Sequence, residues 1–270
     1  MKMTTKLLFG RVIKVHIESS KYKTDISGDD LHIEFEVNFD DDEKPNQSTI
    51  SIYNLSKTSI SRITKDSSVI LQAGYRSDYG VLVQGKISNV VTNRNGVDKI
   101  TTITLLEGQD YTSEKTPKAI TFKKGTKAEV IIKKLVKLLG VSLAEFKLPK
   151  NVVYKKGYSV TGQIENNLVE VVKDCGAALY WRRGKMVIRS ITEGTDENFL
   201  LEESTGLIDS PETFEEDDTK GYTAKCLLQH RITTASIIEI RSKTANGKYR
   251  AKKGKHVCNG SDFYTEVDVV

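Results

Sequence analysis

Two Cys/His pairs are the first residues of this chain whose types could do chemistry: Cys226 with His230, and His256 with Cys258. Thiolate and imidazole are zinc ligands, and two strand edges could in principle bring four of them together, yet the spacings match none of the familiar zinc modules. No Gly-x-Ser-x-Gly elbow or Cys/His nucleophile context surrounds His16, His32, His230 or His256. These four lie on predicted strands or strand ends and read as structural or solvent-facing imidazoles. Glycoside hydrolysis needs two carboxyl groups facing across a cleft, whereas Glu107 and Asp110 are neighbours in one loop after a strand.

The acidic runs are read as solvated. Glu215-Glu216-Asp217-Asp218 cannot turn four like charges inward without severe cost. Asp40-Asp41-Asp42-Glu43, ahead of Pro45, lacks the Asp-x-Asp-x-Asp-Gly spacing of a calcium loop and is expected to be a loop tip. Gly74, Gly80 and Gly85 have turn spacing, not that of a phosphate-cradling loop. The expectation is therefore a protein with no catalytic, cofactor-binding or metal-ligating residues, and not an enzyme.

Basic residues offer a different chemistry. Lys123, Lys124, Lys127, Lys133, Lys134, Lys155, Lys156, Arg182, Arg183 and Lys185 cluster mid-chain, and Lys248, Arg250, Lys252, Lys253 and Lys255 follow later. With Tyr154, Tyr158, Tyr180, Trp181 and Tyr249 as stacking platforms, an OB-like barrel that binds single-stranded nucleic acid is the alternative reading. The blander one places these cations on the solvent faces of amphipathic elements.

The elements that would position such residues are mostly strands. Leu31–Phe39 alternates apolar and polar residues, and Ser48–Tyr53, Val69–Tyr75, Val81–Val91 and Ile100–Leu106 follow as further strands. Asn95-Gly96 is expected to supply a type I′ hairpin turn, and Ser56 to cap a short helix over Lys57–Ile63. After Pro117 the pattern changes. Thr126-Lys127-Ala128-Glu129 reads as a capping box for a helix that Gly140 ends; Ile164–Cys175 is a second helix, stopped by Gly176 and followed by a hairpin turning at Arg183-Gly184. From about Glu193 strands return, with a turn placed at Asn246-Gly247. The fold class is mainly β: two tube-like β-barrel domains, 1–112 and 193–270, with a small α/β domain, 113–192, inserted between them. The shared Asn-Gly turns hint at a duplicated module.

The 270 residues suffice to bury cores without staples. A net charge of +5 from 41 Lys+Arg and 36 Asp+Glu demands no polyanionic partner, and three cysteines without a Cys-x-x-Cys pair point to a reducing compartment. Leu7-Leu8-Phe9 is too brief for a signal peptide or a membrane span, so no membrane insertion is expected and synthesis should be cytoplasmic.

Read in order, Ile52-Tyr53-Asn54-Leu55-Ser56, Val69–Tyr75 and Val83-Gln84-Gly85-Lys86-Ile87 resemble the N-terminal barrel of bacteriophage tail baseplate hub proteins. The likeness continues through Phe122–Thr126, Tyr180-Trp181, Ser204–Pro211, Cys226-Leu227-Leu228, Gly247–Arg250 and Asp262–Glu266, nearly the whole chain. The family is similar in turn to late control protein D and to the head of type VI secretion spikes. The resemblance implies a homotrimer whose six tube-like barrels form a pseudo-sixfold ring joining the sixfold tail tube to the threefold central spike. It implies as partners a tail tube or distal tail protein, a central spike or tail fibre protein and a tape-measure protein. DNA would pass only through the assembled channel. The virion tail baseplate, assembled in the host bacterial cytoplasm, would be its place, or the corresponding tail of a phage-derived bacteriocin. It assigns Cys226 and His256 to strands of the second barrel. With the chain stopping at Val270, any lysozyme or peptidase module is expected on another polypeptide.

Overall fold

Strict alternation makes the central strand: Ile33, Phe35, Val37 and Phe39 are buried while Glu36 and Asn38 face out, because a pleated strand sends successive side chains to opposite faces. This and the other elements come from a computed structural model that describes residues 8–108, 120–194, 198–216 and 219–270. The boundary expected at 112/113 lies outside the described residues.

The first part of the chain runs β1 (Arg11–Glu18), β2 (Lys23–Ser27), β3 (Ile33–Phe39), β4 (Gln47–Tyr53), α1 (Lys57–Arg62), β5 (Ser68–Tyr75), β6 (Asp78–Asn95) and β7 (Asp98–Glu107). Ser56 caps α1 as expected, its hydroxyl accepting from the Ser59 N–H at 3.0 Å. All neighbouring strands are antiparallel, in the order β2-β1-β5-β6-β7-β4-β3. They wrap one core that includes Val15, Phe35, Ile50, Leu71, Ile87 and Leu105. The β6–β7 loop differs from the expectation. Asn95 pairs with Asp98, so Gly96 and Val97 are the central residues, and only Gly96 has positive φ (61°). That is the requirement of a type II′ turn rather than I′.

The middle part holds β8 (Ile120–Phe122), β9 (Thr126–Lys127), α2 (Ala128–Leu139), β10 (Leu143–Phe146), β11 (Val153–Tyr154), β12 (Tyr158–Val160), α3 (Ile164–Asp174), β13 (Ala178–Arg182) and β14 (Lys185–Arg189). The two helices share a core with the sheet β10-β14-β13. Here the true I′ turn appears: Arg183 and Gly184 both have positive φ, 48° and 80°, between paired Arg182 and Lys185. The capping box is not formed. Lys127 is the N-cap and makes no side-chain bond, Thr126 donates its hydroxyl to the Lys123 carbonyl, and Asn151 Oδ1 instead accepts from the Glu129 N–H at 3.1 Å. Gly140 closes α2 in the left-handed conformation, as read from sequence.

The last part contains β15 (Asn198–Leu201), β16 (Glu212–Glu216), β17 (Thr219–Leu227), β18 (Ile237–Arg241), β19 (Asn246–Asn259) and β20 (Asp262–Val269). Asn246-Gly247 is not a turn but the start of β19. The reversal is at Ser242–Ala245, where the Ser242 hydroxyl accepts from the Ala245 N–H at 3.0 Å. The parallel with Asn95-Gly96 therefore dissolves.

One strand fuses the two β regions. Along one edge, residues Asn246–Arg250 of β19 pair with β18, and residues Gly254–Cys258 pair with β3. The result is one 13-stranded sheet over separate cores, exchanging side chains at the seam: Phe39 is buried in the C-terminal core, while Cys258 and Phe263 enter the N-terminal one. Phe263 meets Tyr75 edge-on at 5.5 Å between ring centroids, and Arg11 lies over its face. Burying such a ring is worth about 2 to 3 kcal/mol, enough for two rings to make the seam a committed interface.

Candidate functional site

The three cores meet at the loop between β3 and β4. Arg250 Nη1 donates to Asp41 Oδ2 at 2.6 Å, Thr234 Oγ1 to the Asp40 carbonyl at 3.1 Å, and Trp181 Nε1 to the Glu43 carbonyl at 3.2 Å. The acidic run expected as a solvated tip is thus a joint. Burial, with the neighbouring Asp42 charge, pushes the Asp40 carboxyl up. Its partners lie 138 to 209 residues away, too far for local pattern to show them.

A second contact ties β7 to the Arg183-Gly184 turn. Glu107 is buried, and its carboxyl accepts from Asn46 Nδ2 at 2.9 Å and from the Gly184 N–H at 3.0 Å. Burial raises its pKa, against the pull of those donors. Asp110, its candidate partner, lies outside the described residues. Gly108 has φ +78°, and a Cβ on it would stand 2.4 Å from the Trp181 ring; one on Gly184 would stand 2.5 Å from the Gln84 carbonyl oxygen.

A third contact latches the β5–β6 hairpin to the segment after β17. Arg231 grips Asp78 with both terminal nitrogens, Nη2 at 2.6 Å, and His230 Nε2 stands 3.1 Å from the same carboxylate. Burial opposes the charge, but the bonds from Arg231 and His230 outweigh it and hold the Asp78 pKa at about 2. The His230 ring lies where a Cβ on Gly80 would be, 2.4 Å from Nδ1, so Gly80 leaves room for it. Nothing in the sequence linked Asp78 to Arg231.

The remaining candidates are also accounted for. His256 is buried, and desolvation lowers its pKa to about 3. Thr265 Oγ1 accepts from the Gln229 N–H, leaving its own hydrogen for His256 Nδ1 at 2.8 Å. Burial pushes the Cys226 and Cys258 thiols up to about 12 and about 11, and Cys258 faces the Ile33 carbonyl at 3.6 Å. Among the described residues no three His, Cys, Asp or Glu side chains gather as a metal site. His16 pairs with Asp25 at 2.6 Å and His32 with Glu34 at 3.1 Å on the surface.

The stacking platforms are not available. Trp181 and Tyr180 are fully buried, Tyr249 packs on Tyr222, and Tyr154 and Tyr158 pack on each other with hydroxyls donating to Asp174, Asn167 and Glu170. Arg183 donates to the His230 carbonyl, inside the joint. An aromatic groove for single strands is therefore absent among the described residues. What the molecule does present is sheet edge: β2 and β16 end the strand order at opposite ends, with no partner on their outer sides among the described residues.

A scan of family models matches residues 12–267 to baseplate hub gp41. The chain belongs to this family of baseplate hub proteins. No curated protein sequence matches the hub chain. Among solved structures, it is similar to the 43 kDa tail protein of prophage MuSo2 from Shewanella oneidensis, with TM-score 0.66, 7% identity, 96% of this chain and 98% of that one covered. A tail protein from Neisseria meningitidis MC58 gives 0.67, 8%, 97% and 96%. The E. coli c3393 protein, described as a type VI secretion component structurally similar to the T4 tail proteins gp27 and gp5, gives 0.63, 7%, 89% and 73%. At such identities the likeness is one of fold. It agrees with the tail and spike-head resemblance read from the sequence.

Proposed function

We propose that this hub chain is a non-catalytic adaptor, acting as a homotrimer whose six β units make a pseudo-sixfold ring between a sixfold tail tube and a threefold central spike. The carrying observation is the seam. Two β units with separate cores share one continuous sheet through β19 and β3, so each chain offers two tube elements in fixed relation, and three chains offer six. The Asp41–Arg250 and Asp78–Arg231 contacts fix that relation, and Glu107–Gly184 ties the middle unit to the first. The outer edges β2 and β16 are unlike surfaces on different units, and a heterologous, head-to-tail ring is built from unlike surfaces of successive copies.

On this reading the units are 1–112, 113–192 and 193–270, the ring's partners are a tail tube or distal tail protein, a spike or tail fibre protein and a tape-measure protein, and DNA crosses the assembled channel. The protein works in the virion baseplate after assembly in the host cytoplasm. Mass photometry of the purified chain tests it: three times 30.2 kDa, about 91 kDa, is the expected closed species. A monomer at every concentration, with or without its spike partner, would refute it.

A further inference from the structure

Charge is segregated along this chain. Between Ile120 and Ser190 fifteen Lys and Arg face five Asp and Glu, a net of +10; the whole chain carries +5, so the rest carries −5. Part of this excess forms one exposed surface. The turns at Lys123-Lys124-Gly125 and Lys155-Lys156-Gly157 abut, since a Cβ on Gly157 would stand 2.6 Å from the Phe122 carbonyl oxygen. Beside them Lys127, the N-cap of α2, continues the helix's outward stripe of Val130, Lys134 and Lys137. None of these lysines has an ion pair among the described residues, and Val130 is 55% exposed at the centre of the stripe.

The opposite sign gathers on the far unit. Residues Leu207–Glu216 cover the outer edge of β17, by the Leu207–Cys226 bridge and the β16–β17 ladder. Exposed there or just before are Glu203, Asp209 and Glu212, without ion pairs among the described residues, and Ile208, 46% exposed. Each face thus has one bare aliphatic side chain beside unpaired charges, lysines on the first and carboxylates on the second, where Lys225 and Lys243 stand at the border of the acidic patch.

We infer that the lysine face of one copy docks on the acidic β16 edge of the next, forming the head-to-tail contact of the ring; this rests on the trimer proposed above. A second copy is the occupant because the complementary surface is on the same chain. Buried aromatics disfavour single-stranded nucleic acid, which is held by stacking of its bases on exposed rings.

The test uses the full chain and a dilution series in mass photometry, at 50 and 500 mM NaCl. Trimer association should weaken at least tenfold at the higher salt, because contacts between exposed charges are screened. Lys124→Glu/Lys127→Glu/Lys134→Glu and Glu203→Lys/Asp209→Lys/Glu212→Lys should each weaken it at least tenfold, and their combination in one chain should recover to within about threefold of wild type, whereas a mixture of the two variants keeps one like-charge contact in every ring of three and should recover only in part. A trimer indifferent to both charge reversals, or reversals that do not rescue each other, overturns this contact and leaves the trimer reading standing. Restored affinity only when an unrelated acidic peptide or DNA duplex is added also overturns it. A wild type that never trimerises refutes the ring reading itself.

Discussion

Asp78→Asn should loosen the latch between the two β units by an amount the structure sets. The carboxylate is 8% exposed and receives two bonds from Arg231 and one from His230. Its pKa falls from 3.8 to about 2, and at about 1.4 kcal/mol per unit this coupling is worth roughly 2 kcal/mol. A depressed carboxylate contributes fully above its unfolded pKa and loses its contribution as pH falls through the folded one. The gap between wild type and Asp78→Asn should therefore be about 2 kcal/mol from pH 5 to 7 and shrink to roughly half by pH 3. Urea unfolding followed by far-UV circular dichroism and Trp181 emission measures both. A variant within about 0.5 kcal/mol of wild type at pH 7, or a gap that stays constant down to pH 3, would refute the electrostatic account of the latch.

Gly108→Ala must place a Cβ against the Trp181 ring at positive φ; a loss of 2 kcal/mol or more is expected, with a red shift of the emission of the chain's one tryptophan. Arg250→Ala leaves Asp41, 18% exposed, without its cation and should cost about 2 to 3 kcal/mol in thermal or urea unfolding, whereas Arg241→Ala, whose pair with Glu239 is exposed, should cost less than about 1 kcal/mol. His256 should remain neutral down to about pH 4 in nitrogen-detected NMR, with Nδ1 unprotonated. Its lowered pKa means stability falls as pH drops from 6.5 towards 3, the sense opposite to a histidine held by a carboxylate.

Local features were legible where local chemistry decides them. Ser56, Gly140 and Gly184 act as their residue types require, and the alternation from Ile33 to Phe39 marks a half-buried strand without further help. The expectations failed where another group, distant or neighbouring, competes. Asn151 supplies the cap that Thr126 was expected to give, and Ser242–Ala245 turns the chain where Asn246-Gly247 looked better suited. The loop Asp40–Lys44 misled most, because its charges looked solvated until Arg250, Thr234 and Trp181 were folded onto it. Basic residues with tyrosines looked like a binding groove because exposure is not written in composition: Tyr180 and Trp181 are core. The order of motifs across three regions carried the family, while the fusion of two β units through β19 could not be read from either unit alone.

End-on class averages of the purified protein by negative-stain electron microscopy test the central claim most directly. Six lobes around an open channel, in particles containing three chains, are the predicted result. Three-lobed particles, closed dimers, or averages without a channel would contradict it.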